Sequence, residues 1–440
     1  MLARFSAFTI AYVKDSSMDL IWLSHFIPYP PRGGAAQRSF HLLQEAARRY
    51  RVTFIAFNRP VQDSTMLSES RRQFESFCHR VEFWEVPLAW KGARWWGKLA
   101  LAPLYRWPHS ALTYHSPETA RRWRNLLSEY PQALVHIDST DLAYFVEPAL
   151  CFPTLLNHHN CESAMFFRRA SLEANPVKKF VLRQQAEKLA AVETALTHRV
   201  VLNLTVSDED SARLREINPR AQTRLVENGT DVDYFQPQDD LLEERTIVFA
   251  ASLRWYPNQS ALAFFDREIW PLLKRRCPGV RFIVAGQKPP EFLVRWAKSD
   301  PAIEFVPDPE DIRPYIARGA VYVCPIIDGG GSRLKLLDAM AMGKAIVSTT
   351  IGAEGLRYSA GKHMLIADDP QHFADSVMSL LEDHSLRCRL AAAARQLALE
   401  EYSWRVIGNN LASAYAYACD KGETPQLRAA GVSTNEAAGT

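Results

Sequence analysis

Two cations in an unusual setting carry the first chemical signal. Arg333 and Lys335 follow three consecutive glycines, Gly329, Gly330 and Gly331, in the run DGGGSRLKLLDAMAMGK that starts at Asp328. The apolar stretch Ala320 to Ile327 before them reads as a buried strand, and Ser332 stands where a helix N-cap would. Leu334, Leu337, Met340 and Ala341 then supply the apolar stripe of a helix. The first turn of a helix carries the positive end of its dipole, which disfavours a cation by a few tenths to about 1 kcal/mol. Two cations there, beside backbone N–H groups that glycines leave uncovered, make a site for a phosphate or diphosphate. The plain alternative is an ordinary Gly-rich turn, with Lys335 and Asp338 as an i,i+3 ion pair on a solvated face. The glycines alone favour that alternative; the glycines with both cations favour the anion site.

Three further stretches place chemistry at strand ends. The loop PYPPRGG puts Gly33 and Gly34 between a strand and a helix, a second close-approach turn, with Arg38 one helical turn on. It lacks GxGxxG, and no acid follows at dinucleotide spacing, which argues against an NAD site. The functional reading sets Gly33, Gly34 and Arg38 opposite the C-terminal anion site, against a simple flexible loop. LLNHHNCES carries His158, His159, Asn160 and Glu162 after a short apolar strand, at spacings that fit no zinc helix. A hydrogen-bonded structural histidine is the alternative to a catalytic one. LRWYPNQS sets Arg254 just past another strand, again where an anion could be met.

The elements that must position these residues alternate strand and helix. Strands are expected at 19–23, 51–57, 81–86, 133–137, 153–157 and 200–206, with helices at 35–49, 116–129 and 178–196 among them. The Asn-Gly turn in VENGTDVDY and the polar stretch 236–240 mark a boundary. A second series follows, with strands at 246–251, 280–285, 303–306, 320–325, 345–349 and 364–367, a helix at 258–276, and closing helices at 370–400 and 404–419. Such alternation predicts an α/β protein of two doubly wound Rossmann-like domains facing a central cleft, at 18–206 and 207–403, with a closing helix at 404–420. In such sheets ligands sit beyond the carboxyl ends of the strands, where all the loops above fall. Residues 1–17 read as an unstructured extension with Met18 a plausible start, and 421–440 as a disordered tail.

Composition narrows the classes. At 440 residues the chain is long for one domain, and 47% hydrophobic with 23% charged residues can bury large cores. A formal charge of +3 argues against nucleic acid as a partner. Seven scattered cysteines without a CxxC pair read as reduced thiols in a cytoplasmic protein, not as a disulfide framework or a zinc site. No stretch approaches the roughly 18 apolar residues of a membrane-spanning helix. The patch AWKGARWWGKLALAPLYRW mixes Trp95, Trp96 and other aromatic residues with Lys98 and further cations. It suits either a peripheral membrane contact or a packing surface between subdomains.

From Asp19 to about Tyr417 the chain resembles the family 4 retaining glycosyltransferases of the GT-B fold, closest to sugar transferases of bacterial exopolysaccharide clusters. The strings NGTDVDYF and GGGSRLKLLDAMAMGK carry the likeness, supported by HNCES, VSDED, SLRWYPN and FIVAG. The resemblance implies a nucleoside diphosphate sugar as donor, a glycan or lipid-linked acceptor, and no cofactor or metal, because protein cations meet the diphosphate. It gives that role to Arg333 and Lys335, with Arg254 a further candidate and Gly329, Gly330, Gly331 and Ser332 as the donor loop. Asp338 takes the place of the helix-borne acid that binds the ribose, and His159 that of the histidine near the sugar. The family pattern has an acid eight positions before the ribose-binding one; here that position is Gly330, and Asp328 is out of register. The alternatives are a nucleotide-sugar epimerase or phosphorylase of the same fold, or a sugar-nucleotide-binding protein without catalysis.

Overall fold

The computed structural model describes residues 18–58, 63–87, 108–287, 289–329 and 334–422. Two compact units emerge. Among the described residues, one comprises those up to Thr205, Ser211–Arg224 and those from Gly408 on; the other comprises Val206–Asp210 and those within Leu225–Ile407.

The first unit is built on strands β1 (Asp19–Ser24), β2 (Arg51–Asn58), β3 (Arg80–Glu85), β4 (Leu134–Asp138), β5 (Thr154–Asn157), β6 (Leu202–Thr205) and β7 (Thr223–Leu225), in the order β3-β2-β1-β4-β5-β6-β7. From β3 to β6 every pairing is parallel. Leu20, Ile21, Trp22 and Leu23 of β1 are all fully buried, which is what a sheet covered on both faces demands and why its strands read as unbroken apolar runs.

The second unit holds β8 (Glu243–Ala250), β9 (Arg281–Gly286), β10 (Ile303–Pro307), β11 (Gly319–Cys324), β12 (Ala345–Ser348) and β13 (Leu365–Ile366), ordered β10-β9-β8-β11-β12-β13 and parallel throughout. Side chains alternate across a strand, so the two faces feed two cores. Ile247, Phe249, Val321, Val323 and Val347 enter one; Val248, Ala250, Tyr322, Cys324 and Ile346 enter the other. Each Val, Ile or Phe side chain among them contributes about 1.5–3 kcal/mol by leaving water.

Two expected helices are broken. In place of one helix over 258–276, Tyr256–Phe264 passes through a π-helical turn at Phe265–Ile269 before Trp270–Arg276 resumes. Pro271 has no N–H to give the carbonyl one turn back, and a widened turn absorbs the misfit. The helix expected over 370–400 divides into Pro370–Glu382 and His384–Glu401, because the Asp383 side chain accepts from Leu386 N at 2.9 Å and starts a new helix.

In both sheets the strand order reverses at one place: between β1 and β4 in the first unit, and between β8 and β11 in the second. The crevice beyond the carboxyl ends at such a point is where open α/β sheets hold ligands.

Candidate active site

At the reversal point of the first sheet the last residues of three strands form a buried polar cluster. Asp138 ends β4, is fully buried, and accepts from Ser39 Oγ at 2.6 Å, Asn157 Nδ2 at 2.6 Å and Ser24 Oγ at 3.4 Å. Asn157 ends β5, and its Oδ1 accepts from Arg38 Nη2 at 2.9 Å. Two imidazoles also face Asp138 Oδ1, with His159 Nε2 at 3.3 Å and His136 Nε2 at 3.9 Å. Burial by itself would raise this carboxyl; His159 and His136 outweigh it and hold Asp138 well below the usual carboxylate range. His136 is in turn fixed by stacking on Trp22, with centroids 3.6 Å apart, and by the Tyr415 hydroxyl 2.8 Å from its Nδ1. Burial pushes its pKa down, so it sits there neutral.

The two adjacent histidines part company. His158 is buried, its Nε2 lies 3.0 Å from Asn203 Oδ1, and burial pushes its pKa down to about 4. It is a structural histidine. The His159 side chain keeps 11% of its surface exposed and stands in front of buried Asp138, with the His25 ring 5.7 Å away. A carboxylate behind an accessible imidazole fixes the ring's orientation. His25 Nδ1 donates to the Asp138 carbonyl oxygen at 3.0 Å, which ties the end of β1 to the end of β4.

Arg38 does not face solvent: it is 1% exposed and reaches into this cluster. Gly33 and Gly34 are exposed, Gly33 as helix N-cap at φ +91° and Gly34 as the first residue of helix Gly34–Ala47. Sequence reasoning missed Asp138, Asn157, Ser39 and His25. One signal for Asp138 was present, an acid closing an apolar strand, but only the strand order gives it meaning.

The second unit brings another set of residues to its own reversal point. Beyond β8 the loop carries exposed Arg254, and helix Tyr256–Phe264 then carries Asn258, whose Nδ2 donates to Ser252 O at 2.7 Å. Beyond β11 come Asp328 and Gly329, with Gly329 N donating to Asp328 Oδ1 at 2.5 Å and Gly329 at φ +103°, a conformation that favours glycine. Lys335, in the first turn of helix Leu334–Ala341, donates to Asn258 Oδ1 and lies 5.2 Å from the centre of the Phe249 ring. Helix Tyr256–Phe264, which follows β8, and the helix after β11 thus meet at Lys335. Gly330, Gly331, Ser332 and Arg333 lie outside the described residues, as do Trp95, Trp96 and Lys98.

Asp338 is placed by a different contact. Its Oδ1 accepts from Thr230 Oγ1 at 2.8 Å, and Thr230 N donates to Tyr402 O at 2.8 Å. The preceding residue, Gly229, must be glycine: a Cβ there would stand 2.8 Å from the Trp404 ring. The turn VENGT is therefore clamped between the 402–404 segment and the helix that carries Asp338. Burial, opposed in part by Thr230 and helped by Asp231, pushes the Asp338 carboxyl up to about 7. Lys344, in the same motif, is structural: buried, it donates to the carbonyls of Ala317 at 2.6 Å and Gly319 at 3.0 Å. An open depression of about 360 Å³ beside the ends of β11 and β12 is lined by Ile326, Ile327, Thr349, Thr350, Ile351 and Asp368. Among the described residues no three His, Cys, Asp or Glu side chains are grouped as a metal ion requires.

Residues 244–383 match the family described as glycosyl transferases group 1. Among curated proteins, a phosphatidyl-myo-inositol mannosyltransferase of Mycobacterium tuberculosis is 27% identical over 224 residues, 46% of this chain and 56% of that protein. An uncharacterized 44.6 kDa protein in the cps region of Klebsiella pneumoniae is 23% identical over 177 residues, 39% of this chain and 46% of that protein. The chain thus spans about half the length of the curated relatives it matches. In fold it is similar to sucrose-phosphate synthase from Thermosynechococcus elongatus, with TM-score 0.66 and 17% identity over 94% of this chain and 100% of that one. It is also similar to Anabaena Alr3699/HepE in complex with UDP, with TM-score 0.63 and 14% identity over 91% and 100% of the two chains. Two parallel-sheet, Rossmann-like units with these neighbours have the GT-B architecture, and the segment 244–383 is a glycosyl transferases group 1 domain.

Proposed function

We propose that the protein is a retaining glycosyltransferase that moves a hexosyl group from a nucleoside diphosphate sugar to a glycan or lipid-linked acceptor in exopolysaccharide synthesis. The observation that carries the reading is the meeting of Lys335 with Asn258 at the strand-order reversal of the group 1 domain. That meeting sets an ammonium group beyond the carboxyl ends of β8 and β11, where a diphosphate would lie. Arg333, two positions earlier in sequence, supplies the second cation, and exposed Arg254 is within the same loop system. In the proposed reaction the bond between the anomeric carbon and the diphosphate oxygen breaks while the acceptor hydroxyl oxygen bonds that carbon from the same face. The hydroxyl proton passes to the departing phosphate. The cations and the helix start neutralise the charge that gathers on the leaving group, so no metal ion is needed for that task. Stabilisation of this kind is often the largest single contribution to catalysis.

Asp338 is assigned to the ribose hydroxyls, and His159, backed by Asp138, to the sugar end of the donor. The relatives add support: one is named a phosphatidyl-myo-inositol mannosyltransferase, another is described as a protein in a cps region, and a neighbour of similar fold was solved with UDP. The expected setting is the cytoplasm. The test is a product assay with a panel of nucleotide sugars, with and without acceptor lipids and oligosaccharides. Transfer with retained anomeric configuration, lowered at least about a hundredfold in Lys335→Ala while the circular dichroism spectrum stays unchanged, is the expected result. Near-normal turnover of that variant sinks the assignment, and free epimer without acceptor points to an epimerase.

One observation favours a second reading. Gly330 stands where the family pattern has an acid. A protein that binds sugar nucleotides without catalysis would bind the donor in calorimetry yet transfer nothing to any acceptor.

A further inference from the structure

In the first unit, helices Glu162–Leu172 and Pro176–Leu196 form an antiparallel hairpin whose two ends behave differently. The root is built into the fold. Ala186, Leu189, Val192 and Leu196 are buried, and Val192 and Leu196 join the core of the first unit. Buried Glu193 accepts from Ser163 N at 3.2 Å and from the Ser163 hydroxyl, which locks the start of one helix to the last turn of the other. The turn at the tip is equally fixed: Asn175 Oδ1 accepts from Val177 N at 3.0 Å and Lys178 N at 3.1 Å, and Asn175 N donates to Glu173 Oε1 at 2.9 Å.

This ordered tip presents apolar side chains to water. Phe167 is 41% exposed, Leu172 62%, Val177 70%, Phe180 63% and Val181 49%. Half of the large hydrophobic side chains exposed among the described residues fall within these fifteen positions. Val177, Phe180 and Val181 follow i, i+3, i+4 spacing and share one face of their helix. Around them stand Arg168, Arg169, Lys178, Lys179 and Arg183, against Glu173 as the lone acid between 166 and 183.

We propose that this hairpin tip docks on the surface of an anionic phospholipid bilayer. An apolar cluster rimmed by cations matches such a surface in both respects: the side chains enter the boundary between headgroups and acyl chains, and the cations meet lipid phosphates. Long Lys and Arg side chains lay their methylenes along the apolar layer while their charges stay in water. A second copy of this chain is a poor occupant, because a symmetric contact would bring a net positive rim, with exposed Lys178 and Lys179, against its own copy. The inference stands apart from the sugar-transfer reading, since vesicle binding requires no donor or acceptor.

The test is flotation of the full chain with vesicles of equal parts phosphatidylglycerol and phosphatidylcholine, against vesicles of phosphatidylcholine alone, with sedimentation equilibrium run in parallel. The expected result is binding to the anionic vesicles that weakens as salt rises. Lys178→Glu with Lys179→Glu lowers partition on the order of thirtyfold, from about a fivefold loss per cation. Val177→Ser with Phe180→Ser lowers it at least about tenfold. All four residues are exposed, so the variants keep the native circular dichroism spectrum. No flotation with anionic vesicles at low salt overturns the proposal, as does equal binding to the neutral vesicles or wild-type partition by both variants. A wild-type dimer dissociated by Val177→Ser with Phe180→Ser also overturns it, by giving the surface to a second copy.

Discussion

Replacing Asp138 by Asn keeps the shape of the side chain and removes its charge from the centre of the first unit. In the native fold that carboxylate accepts two short hydrogen bonds, from Ser39 Oγ and Asn157 Nδ2, both at 2.6 Å, and faces His159 Nε2 at 3.3 Å. Hydrogen bonds to a charged group contribute about 1.5–3 kcal/mol each, against about 1 kcal/mol for neutral pairs. Removing the charge from the two short bonds therefore costs about 1–4 kcal/mol. The amide must also turn its NH2 group toward some of these donors, so the upper half of that range, about 2–4 kcal/mol, is expected. Hydrogen exchange of the amides in β4 and β5 gives the readout, because those strands open only when the first unit opens. At 1.4 kcal/mol per decade, exchange in Asp138→Asn should quicken by about thirtyfold to about a thousandfold. Ser39→Ala removes one donor and provides a smaller internal comparison. The folded-state pKa of Asp138 is depressed, so its contribution is fully present above the unfolded value of about 3.9 and is lost as pH falls through the folded value. The gap between wild type and Asp138→Asn should accordingly narrow as the pH falls below about 3.9. A change below about 0.5 kcal/mol would refute the claim that this carboxylate organises the cluster.

Other outcomes follow from the same structure. His158 stays neutral in the fold down to about pH 4 but protonates near pH 6.5 when unfolded, so the unfolded state takes up the proton first. Stability should be intact above pH 6.5 and fall by about 1.4 kcal/mol per unit between pH 6.5 and 4; a thermal scan of His158→Gln should show a shallower loss than wild type. Gly352→Ala would place a Cβ 2.5 Å from Ser348 Oγ and 2.6 Å from the Cys324 carbonyl oxygen. Such overpacking should cost about 1–3 kcal/mol in urea unfolding of the second unit, and an unchanged midpoint would contradict the packing described. With the Asp338 carboxyl pushed up to about 7, nucleoside diphosphate affinity should rise as the carboxylate forms between pH 6 and 8. Asp338→Asn should flatten that profile in calorimetry, whereas a flat wild-type profile would remove Asp338 from the ribose contact.

Much of the scaffold was legible because its strands are buried on both faces. The run expected at 19–23 is β1 at Asp19–Ser24, and that at 320–325 is β11 at Gly319–Cys324. Continuous apolar runs need no partner information to be recognised. Helix Glu162–Leu172 was not legible: HNCES reads as the end of a loop, and the helix leaves Phe167 and Leu172 in water, which blurs its apolar stripe. Its start depends on Glu193, thirty residues on from Ser163, and local sequence carries no sign of that bond. The site divided in the same way. Lys335 was legible as a candidate because a cation at a helix start offends a local rule, and Asp338 because the motif around it is specific. Asp138 obeys every local rule at the end of its strand and acquires meaning only from β1 and β5 beside it. Arg38 sits between Gln37 and Ser39 on its helix, and only the fold turns it inward onto Asn157.

The central claim is that Lys335 and the loop around it receive the diphosphate of a sugar nucleotide. Calorimetric titration of UDP and GDP into the wild-type protein and Lys335→Ala tests it most directly. The account predicts saturable binding of at least one of the two to wild type, weakened about tenfold or more by the substitution, since a charge-assisted contact contributes about 1.5–3 kcal/mol. Equal affinity for both proteins, or no binding of either nucleotide to wild type, would contradict it.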